Sequence, residues 1–270
     1  MAGQTPRPLV APWWGELRYA GELLRLLSRE GLPRPRPARD GHPLLLIPGF
    51  MAGDSSLGVL KRWLERRGHR VALSGMRANV QCAERVLNRM GPALQDFAAE
   101  TGRPAFLIGQ SRGGAIARCL AVRHPDATAG LVMLGSPVCA PLAVSAPVLS
   151  TVRVVARLGD LGLPGVFSSS CRDGDCCAQV RDELDAPLAP HIRALTVYSR
   201  SDGVVDWRAC LDPHAEPVEV DSSHCGMSIH TEVYELLARA LDGRPAVARS
   251  RPRTGRARPR AVSSAAEAIG

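Results

Sequence analysis

Short, unbroken apolar runs alternate along this chain with longer stretches in which apolar residues return every three or four positions. "PLLLIPG" from Pro43 is the first such run, and "HRVALSG", "RPAFLIGQ", "AGLVMLGSP", "HIRALTVYS" and "EPVEVDS" follow it. Continuous apolarity over so few residues predicts strands buried on both faces. Between them, helical spacing predicts a helix over "LGVLKRWLERRG", with Ser55 and Ser56 as caps and Gly68 as its stop. A long helix over 78–100 is expected to break near Gly91-Pro92. "RGGAIARCLAVRH" ends before Pro125, and "TEVYELLARAL" closes the series.

Strand and helix in this alternation predict an α/β fold, a mostly parallel sheet with helices on both faces and right-handed crossovers. Ligands of such sheets bind outside the carboxyl ends of the strands. Ahead of the first strand, "WWGELRYAGELLRLLSR" places Trp13, Leu17, Ala20, Leu24 and Leu27 at helical spacing, with Arg and Glu opposite. That helix is expected to dock on the domain by its apolar stripe. The alternative is peripheral membrane contact through Trp13 and Trp14.

Three parts follow: residues 1–42 as amphipathic helix and Pro/Arg-rich linker, 43–242 as the α/β domain, and 243–270 as a basic disordered tail. Net charge changes meaning under this division. The +8 of the 270 residues resolves into +6 on the tail, +3 on residues 1–42 and −1 on the domain. No nucleic-acid face is therefore expected on the domain, and no nucleic-acid partner. No long apolar stretch and no secretory leader is read, so a cytoplasmic protein is expected. The eight Cys lack C-x-x-C pairs, which weakens a zinc reading, and most are expected to be buried thiols. The cluster Cys171, Cys176, Cys177 is the exception, with a local disulfide or a redox-sensitive loop as its expected use.

Candidate chemistry lies at the strand ends. "LIGQSRGGAI" sets Ser111 between Gly109 and Gly113, directly after the third strand and before a helix. A nucleophile on such a turn needs neighbours without Cβ, because strand and helix backbones come close there. Asp202 follows the fifth strand in "TVYSRSDGVVD", with Asp206 as the lesser candidate for the acid. His224 follows the last strand in "VDSSHCGM", whereas His230 lies at the start of the closing helix as a surface or capping residue. The order Ser, Asp, His is that of a nucleophile, an orienting acid and a base. Backbone N–H donors for an oxyanion are expected from Arg112 and from Phe50, with Met51 as the alternative.

The segments "LIPGF", "GQSRGG", "SRSDGVVD" and "SSHCGM" resemble the α/β-hydrolase superfamily over roughly residues 43–241. Within it the chain looks most like compact bacterial lipases and esterases of the actinobacterial type. Pro48-Gly49-Phe50 stands where lipases often carry His-Gly-x. The first two strands of the family sheet have no counterpart, because residues 1–42 read as helix and linker. The resemblance implies a serine hydrolase of carboxylic esters, with Ser111 as nucleophile, His224 as base and Asp202 as its orienter. It implies an acyl-enzyme, a small-molecule ester with a hydrophobic acyl group, and no metal or organic cofactor. Residues 137–190 are expected to form a cap or lid. An acyltransferase with the same triad, or a non-catalytic binding module, are the alternatives.

Overall fold

The structure, a computed structural model, describes residues 10–27, 36–38 and 40–244. The Pro-rich start, most of the linker and nearly all of the basic tail lie outside the described residues. A 3₁₀ turn at Trp13–Leu17 runs into α1 (Arg18–Leu27). The sheet begins with β1 (Pro43–Ile47), followed by α2 (Gly58–Arg66), β2 (Arg70–Leu73), α3 (Ala83–Thr101), β3 (Ala105–Gln110), α4 (Arg112–Arg123) and β4 (Thr128–Leu134). Three helices come next: α5 (Ala146–Asp160), α6 (Ser170–Asp173) and α7 (Ala178–Asp185). The chain then returns through β5 (Arg193–Tyr198) and β6 (Glu216–Glu219) to α8 (Thr231–Leu241).

All six strands are parallel, in the order β2-β1-β3-β4-β5-β6. The direction of winding reverses between β1 and β3, so the crevice at their carboxyl ends is the topological switch point of the sheet. No further strand precedes β1 among the described residues, and 18–27 is helical.

Alternation along each strand divides the core in two. Leu44 and Leu46 of β1 point to α2 and α8, where Leu60, Trp63, Leu64, Val233 and Tyr234 complete one apolar layer. Leu45 and Ile47 point the other way, to Val86, Leu87 and Met90 of α3 and to Ile116, Ala117 and Leu120 of α4. The runs of β1, β3 and β4 read as apolar throughout because neither face meets water, whereas β2 and β6 at the rims are partly exposed. Arg118 is wholly buried in the second layer. Its Nε donates to Asp212 Oδ2 at 2.6 Å, and its remaining donors reach Glu183 O at 2.6 Å and Ala186 O at 2.8 Å. One guanidinium thus ties α4 to the end of α7 and to the β5–β6 connection.

Three expectations need correction. The helix over 78–100 starts at Ala83 and is not broken at Gly91-Pro92. Pro92 lies on its exposed side, where Asn88, whose carbonyl loses its partner, is also exposed to water. Gly91 serves packing instead, since a Cβ there would lie 2.2 Å from His124 Nε2. Ser55 and Ser56 sit inside a 3₁₀ turn, and Ser56 Oγ donates backwards to Gly53 O rather than capping α2. The N-terminal helix docks, but not by its apolar stripe. Leu17 is 73% exposed and Leu24 70%, while Glu22 is buried. Among the described residues no helix is long and apolar enough to cross a membrane.

Candidate active site

Ser111 occupies the single residue between β3 and α4, with φ 51° and ψ −124°. A side chain in that region is strained, and the surroundings must hold it there. Ser111 N donates to Leu134 O at 2.7 Å, and its carbonyl accepts from Gly114 N at 2.9 Å. The flanking glycines are dictated by close approach. A Cβ on Gly109 would lie 2.3 Å from Gly113 O, and one on Gly113 would lie 2.3 Å from Ile47 O. Gly49 passes so near that its Cβ would sit 3.2 Å from Ser111 Cβ, which brings the loop after β1 against the serine.

Asp202 lies in the turn after β5 and is 2% exposed. Its Oδ1 accepts from Val204 N at 2.7 Å and from Val205 N at 2.8 Å. Its Oδ2 meets His224 Nδ1 at 2.7 Å. Two backbone amides therefore fix the carboxylate, and the carboxylate fixes the imidazole with Nε2 left over. Burial by itself pushes the His224 imidazolium down. The Asp202 charge, its hydrogen bond and the Glu16 charge outweigh burial and hold His224 above the ordinary histidine range. Asp206 does not reach this pair. It caps the 3₁₀ turn Trp207–Cys210 by accepting from Arg208 N, and it pairs with the Arg208 guanidinium at 2.6 Å. His230 is the residue before α8, and its Nδ1 is buried without a partner.

Ser111 and His224 line the same cavity. Among the described residues no hydrogen bond joins Ser111 Oγ to His224. Such bonds are often long before substrate binds and tighten in the reacting complex. Phe50 and Arg112 also line the cavity beside them. Met51 N is committed to Asn79 O at 3.3 Å, which leaves Phe50 N as the free amide of that pair. Phe50 N–H and Arg112 N–H have no acceptor among the described residues. The loop that carries Phe50 is braced by Asn79, whose Nδ2 donates to Pro48 O at 2.8 Å and whose N donates to Ala52 O at 2.9 Å. The Arg112 side chain turns away and donates to Asn79 O, Asn79 Oδ1 and Gln81 O. Desolvation pushes its guanidinium down to about 10, so it stays cationic at neutral pH.

The cavity holds about 800 Å³ and is walled mainly by apolar side chains, among them Leu87, Ile116, Val148, Val152, Phe167 and Leu184. Four of these, Val148, Val152, Phe167 and Leu184, come from the segment between β4 and β5. Phe50 rests on Phe167 with ring centroids 6.1 Å apart.

The residues hidden from sequence reasoning are the acids of the N-terminal helix. Glu16 Oε1 accepts from Gly203 N at 3.0 Å and from His224 N at 2.9 Å, and its Oε2 accepts from Cys225 N at 3.2 Å. Glu22 accepts from Ser223 N at 2.9 Å and from the hydroxyls of Ser222 and Ser223. One carboxylate thus joins the Asp202 turn to the His224 loop. No local pattern marks an amphipathic-helix Glu for such a task. Gln110 was also unforeseen; its Nε2 donates to His224 O at 3.3 Å. All eight cysteines are free thiols, so the expected local disulfide among Cys171, Cys176 and Cys177 is not formed.

No family model matches the chain, and no curated protein matches it in sequence. Solved structures do match in shape. The mature Bacillus licheniformis lipase BlEst2 superposes with a TM-score of 0.56 at 14% identity, over 78% of this chain and 96% of that one. A structure of the metagenome-derived lipolytic enzymes LipS and LipT gives 0.54 at 18% identity, over 78% and 97%. The metagenomic carboxyl esterase MGS0156 gives 0.52 at 15% identity, over 72% and 68%. The chain has the α/β-hydrolase fold. The six parallel strands described here form its sheet, and the strand-to-helix turn at Ser111 lies at the switch point.

Proposed function

We propose that this chain is a serine hydrolase of carboxylic esters with a hydrophobic acyl group, and that Ser111, His224 and Asp202 are its catalytic residues. The observation that carries the reading is the buried Asp202–His224 pair at 2.7 Å, whose imidazole lines the same apolar cavity as a serine in the left-handed region. A structural serine has no use for that strain, and a buried His–Asp pair beside it supplies a base of raised proton affinity. The three solved structures named above are a lipase, lipolytic enzymes and a carboxyl esterase, and they support the same reading.

Ser111 Oγ attacks the ester carbonyl carbon while His224 Nε2 takes its proton. The oxyanion of the tetrahedral intermediate sits between Phe50 N–H and Arg112 N–H, each worth about 2.7–4 kcal/mol of barrier in sites of this kind. Collapse expels the alcohol, which receives the proton from His224, and leaves an acyl-Ser111. Water then repeats the cycle on the acyl-enzyme, and the acid departs. Asp202 holds the imidazole in the tautomer with Nε2 free and stabilises the imidazolium as it forms. No step asks for a metal or organic cofactor. A volume near 800 Å³ falls within the roughly 300–1,000 Å³ of small-molecule sites, and its apolar walls suit an acyl chain. Residues 137–190 act as the cap over that chain.

The test is hydrolysis of p-nitrophenyl esters of increasing acyl length by the full chain, with Ser111→Ala as the blank. Turnover lost in the variant, with an optimum at a medium or long acyl chain, is the expected result. Equal inertness of both proteins on every ester refutes the reading. Product that partitions to an added alcohol over water replaces it with acyl transfer.

A further inference from the structure

Four cysteine sulfurs converge where the β4–β5 segment meets the start of α3. Cys82 is the residue before α3, Cys171 belongs to α6, and Cys176 and Cys177 lie in the 3₁₀ turn that leads into α7. Cys82 Sγ is 3.4 Å from Cys176 Sγ and 3.7 Å from Cys177 Sγ, and Cys171 Sγ is 3.6 Å from Cys176 Sγ. All four sulfurs lie within 4.8 Å of one another. A tetrahedral zinc with bonds of about 2.3 Å has sulfur–sulfur edges of about 3.8 Å. The cluster therefore already has the size of a tetrathiolate cage for one ion. Cys82 and Cys177 are buried, while Cys176 is exposed and gives the ion a way in.

We propose that Cys82, Cys171, Cys176 and Cys177 bind one zinc ion that fastens the β4–β5 segment to the loop behind Phe50. Four protein ligands fill the tetrahedron, so the site is structural and has no open position for chemistry. Zinc displaces the thiol protons to solvent, one from each cysteine, and the resulting cage carries two negative charges. A cation stands ready beside it. The Arg112 guanidinium feels Cys177, Cys82 and Cys171, while its three hydrogen-bond acceptors are neutral oxygens of Asn79 and Gln81.

The ends of the segment are held by other contacts, Val144 and Leu184 joining separate buried clusters and Arg118 tying α7 to α4. Its middle has a thin core: the cluster at the cysteines buries only Cys82, Val155, Ala156, Phe167 and Cys177, and Val154, Leu158, Leu161 and Leu163 beside it face water. The path onward is short: Cys82 follows Gln81 and Val80, Val80 O accepts from Phe167 N at 2.8 Å, and Asn79 braces the loop of Phe50. The inference does not depend on the ester reading, because it concerns metal content and stability.

The experiment is elemental analysis of the full chain purified under reducing conditions without chelator, followed by cobalt titration of the stripped protein. Expected are one zinc per chain and the intense visible bands of tetrahedral thiolate cobalt. Cys176→Ser is expected to weaken zinc binding by more than the ~10–100-fold that changes outside the ligand shell produce, and Cys139→Ser is expected to leave it unchanged. Stripping the zinc should lower the melting temperature. Three results overturn the proposal: no zinc uptake by the wild-type chain, an intact mass lighter by the hydrogens lost to disulfides, or equal zinc binding by wild type and Cys176→Ser.

Discussion

Replacing Glu16 by Gln tests whether the N-terminal helix belongs to the catalytic machinery or merely covers it. The Glu16 carboxylate accepts three backbone N–H groups, at 3.0 Å from Gly203, 2.9 Å from His224 and 3.2 Å from Cys225. Gly203 and His224 are buried, and Cys225 is exposed. The Gln carbonyl can keep the first two bonds, while its amide group turns a donor toward the Cys225 donor. One charge-assisted bond is lost, worth about 1.5–3 kcal/mol. If that loss falls wholly on the placing of His224, kcat drops roughly 10- to 100-fold, since each ~1.36 kcal/mol is tenfold. A second readout separates positioning from docking. The Glu16 charge helps hold the His224 pKa above its usual value, and the base works only when neutral. Without that charge the acid limb of the kcat/KM profile moves to lower pH. Rates on a p-nitrophenyl ester across pH, with melting curves alongside, provide both numbers. A Glu16→Gln chain with unchanged kcat and an unmoved acid limb sinks the positioning role, even if its melting temperature falls.

Asp202→Asn should cut kcat by about 10⁴-fold, as loss of the imidazole-orienting acid does in serine proteases, with little change in far-UV circular dichroism. The raised His224 pKa adds stability that is fully present below the unfolded value of about 6.5 and fades as pH rises through the folded value. The cost of Asp202→Asn in a denaturant titration should therefore shrink toward alkaline pH. Gly114→Ala would place a Cβ 1.9 Å from Ser136 Oγ, and chemical denaturation should register a loss of about 1–3 kcal/mol from overpacking. Arg118→Met strands the buried Asp212 carboxylate, and a loss of about 3–5 kcal/mol is expected. His69 is held down to about 4, chiefly by burial, and accepts from His42 N as a neutral ring. The unfolded chain binds its proton first, so stability should decline as pH falls from about 6.5 toward 4, and less steeply in His69→Gln.

The centre of the sheet was legible because β1, β3 and β4 are apolar on both faces. Leu44 to Ile47 form one run whichever layer each residue joins. Strand ends then pointed to Ser111, Asp202 and His224 as candidates, since ligands of an α/β sheet bind there. Asp202 and not Asp206 meets His224 because only Asp202 sits in the tight turn that two following amides can grip. What stayed hidden depends on contacts far apart in the chain. Glu16 lies 208 residues from His224, and an amphipathic stripe with Leu17 and Leu24 suggested the opposite face as the docked one. Burying Glu22 and half-burying Glu16 is favourable only because the folded loops offer them donors. Cys82 lies 94 residues from Cys176, so spacing rules for cysteine pairs could not join it to the cluster. The unbroken α3 was misread for a different reason. Proline disfavours a helix locally, but here the carbonyl it orphans faces water.

The sheet's two outermost strands carry a consequence for solubility. With nothing preceding β1 in the ladder among the described residues, β2 forms one rim and β6 the other. A rim leaves amides and carbonyls open to any passing strand, the usual route to intermolecular pairing. Each rim here is only four residues long. β6 reads Glu-Pro-Val-Glu, so a ring nitrogen interrupts its row of donors and two carboxylates flank it. β2 opens with Arg70, held by Glu100 at 2.9 Å. The two rims are thus guarded by brevity, charge and one proline.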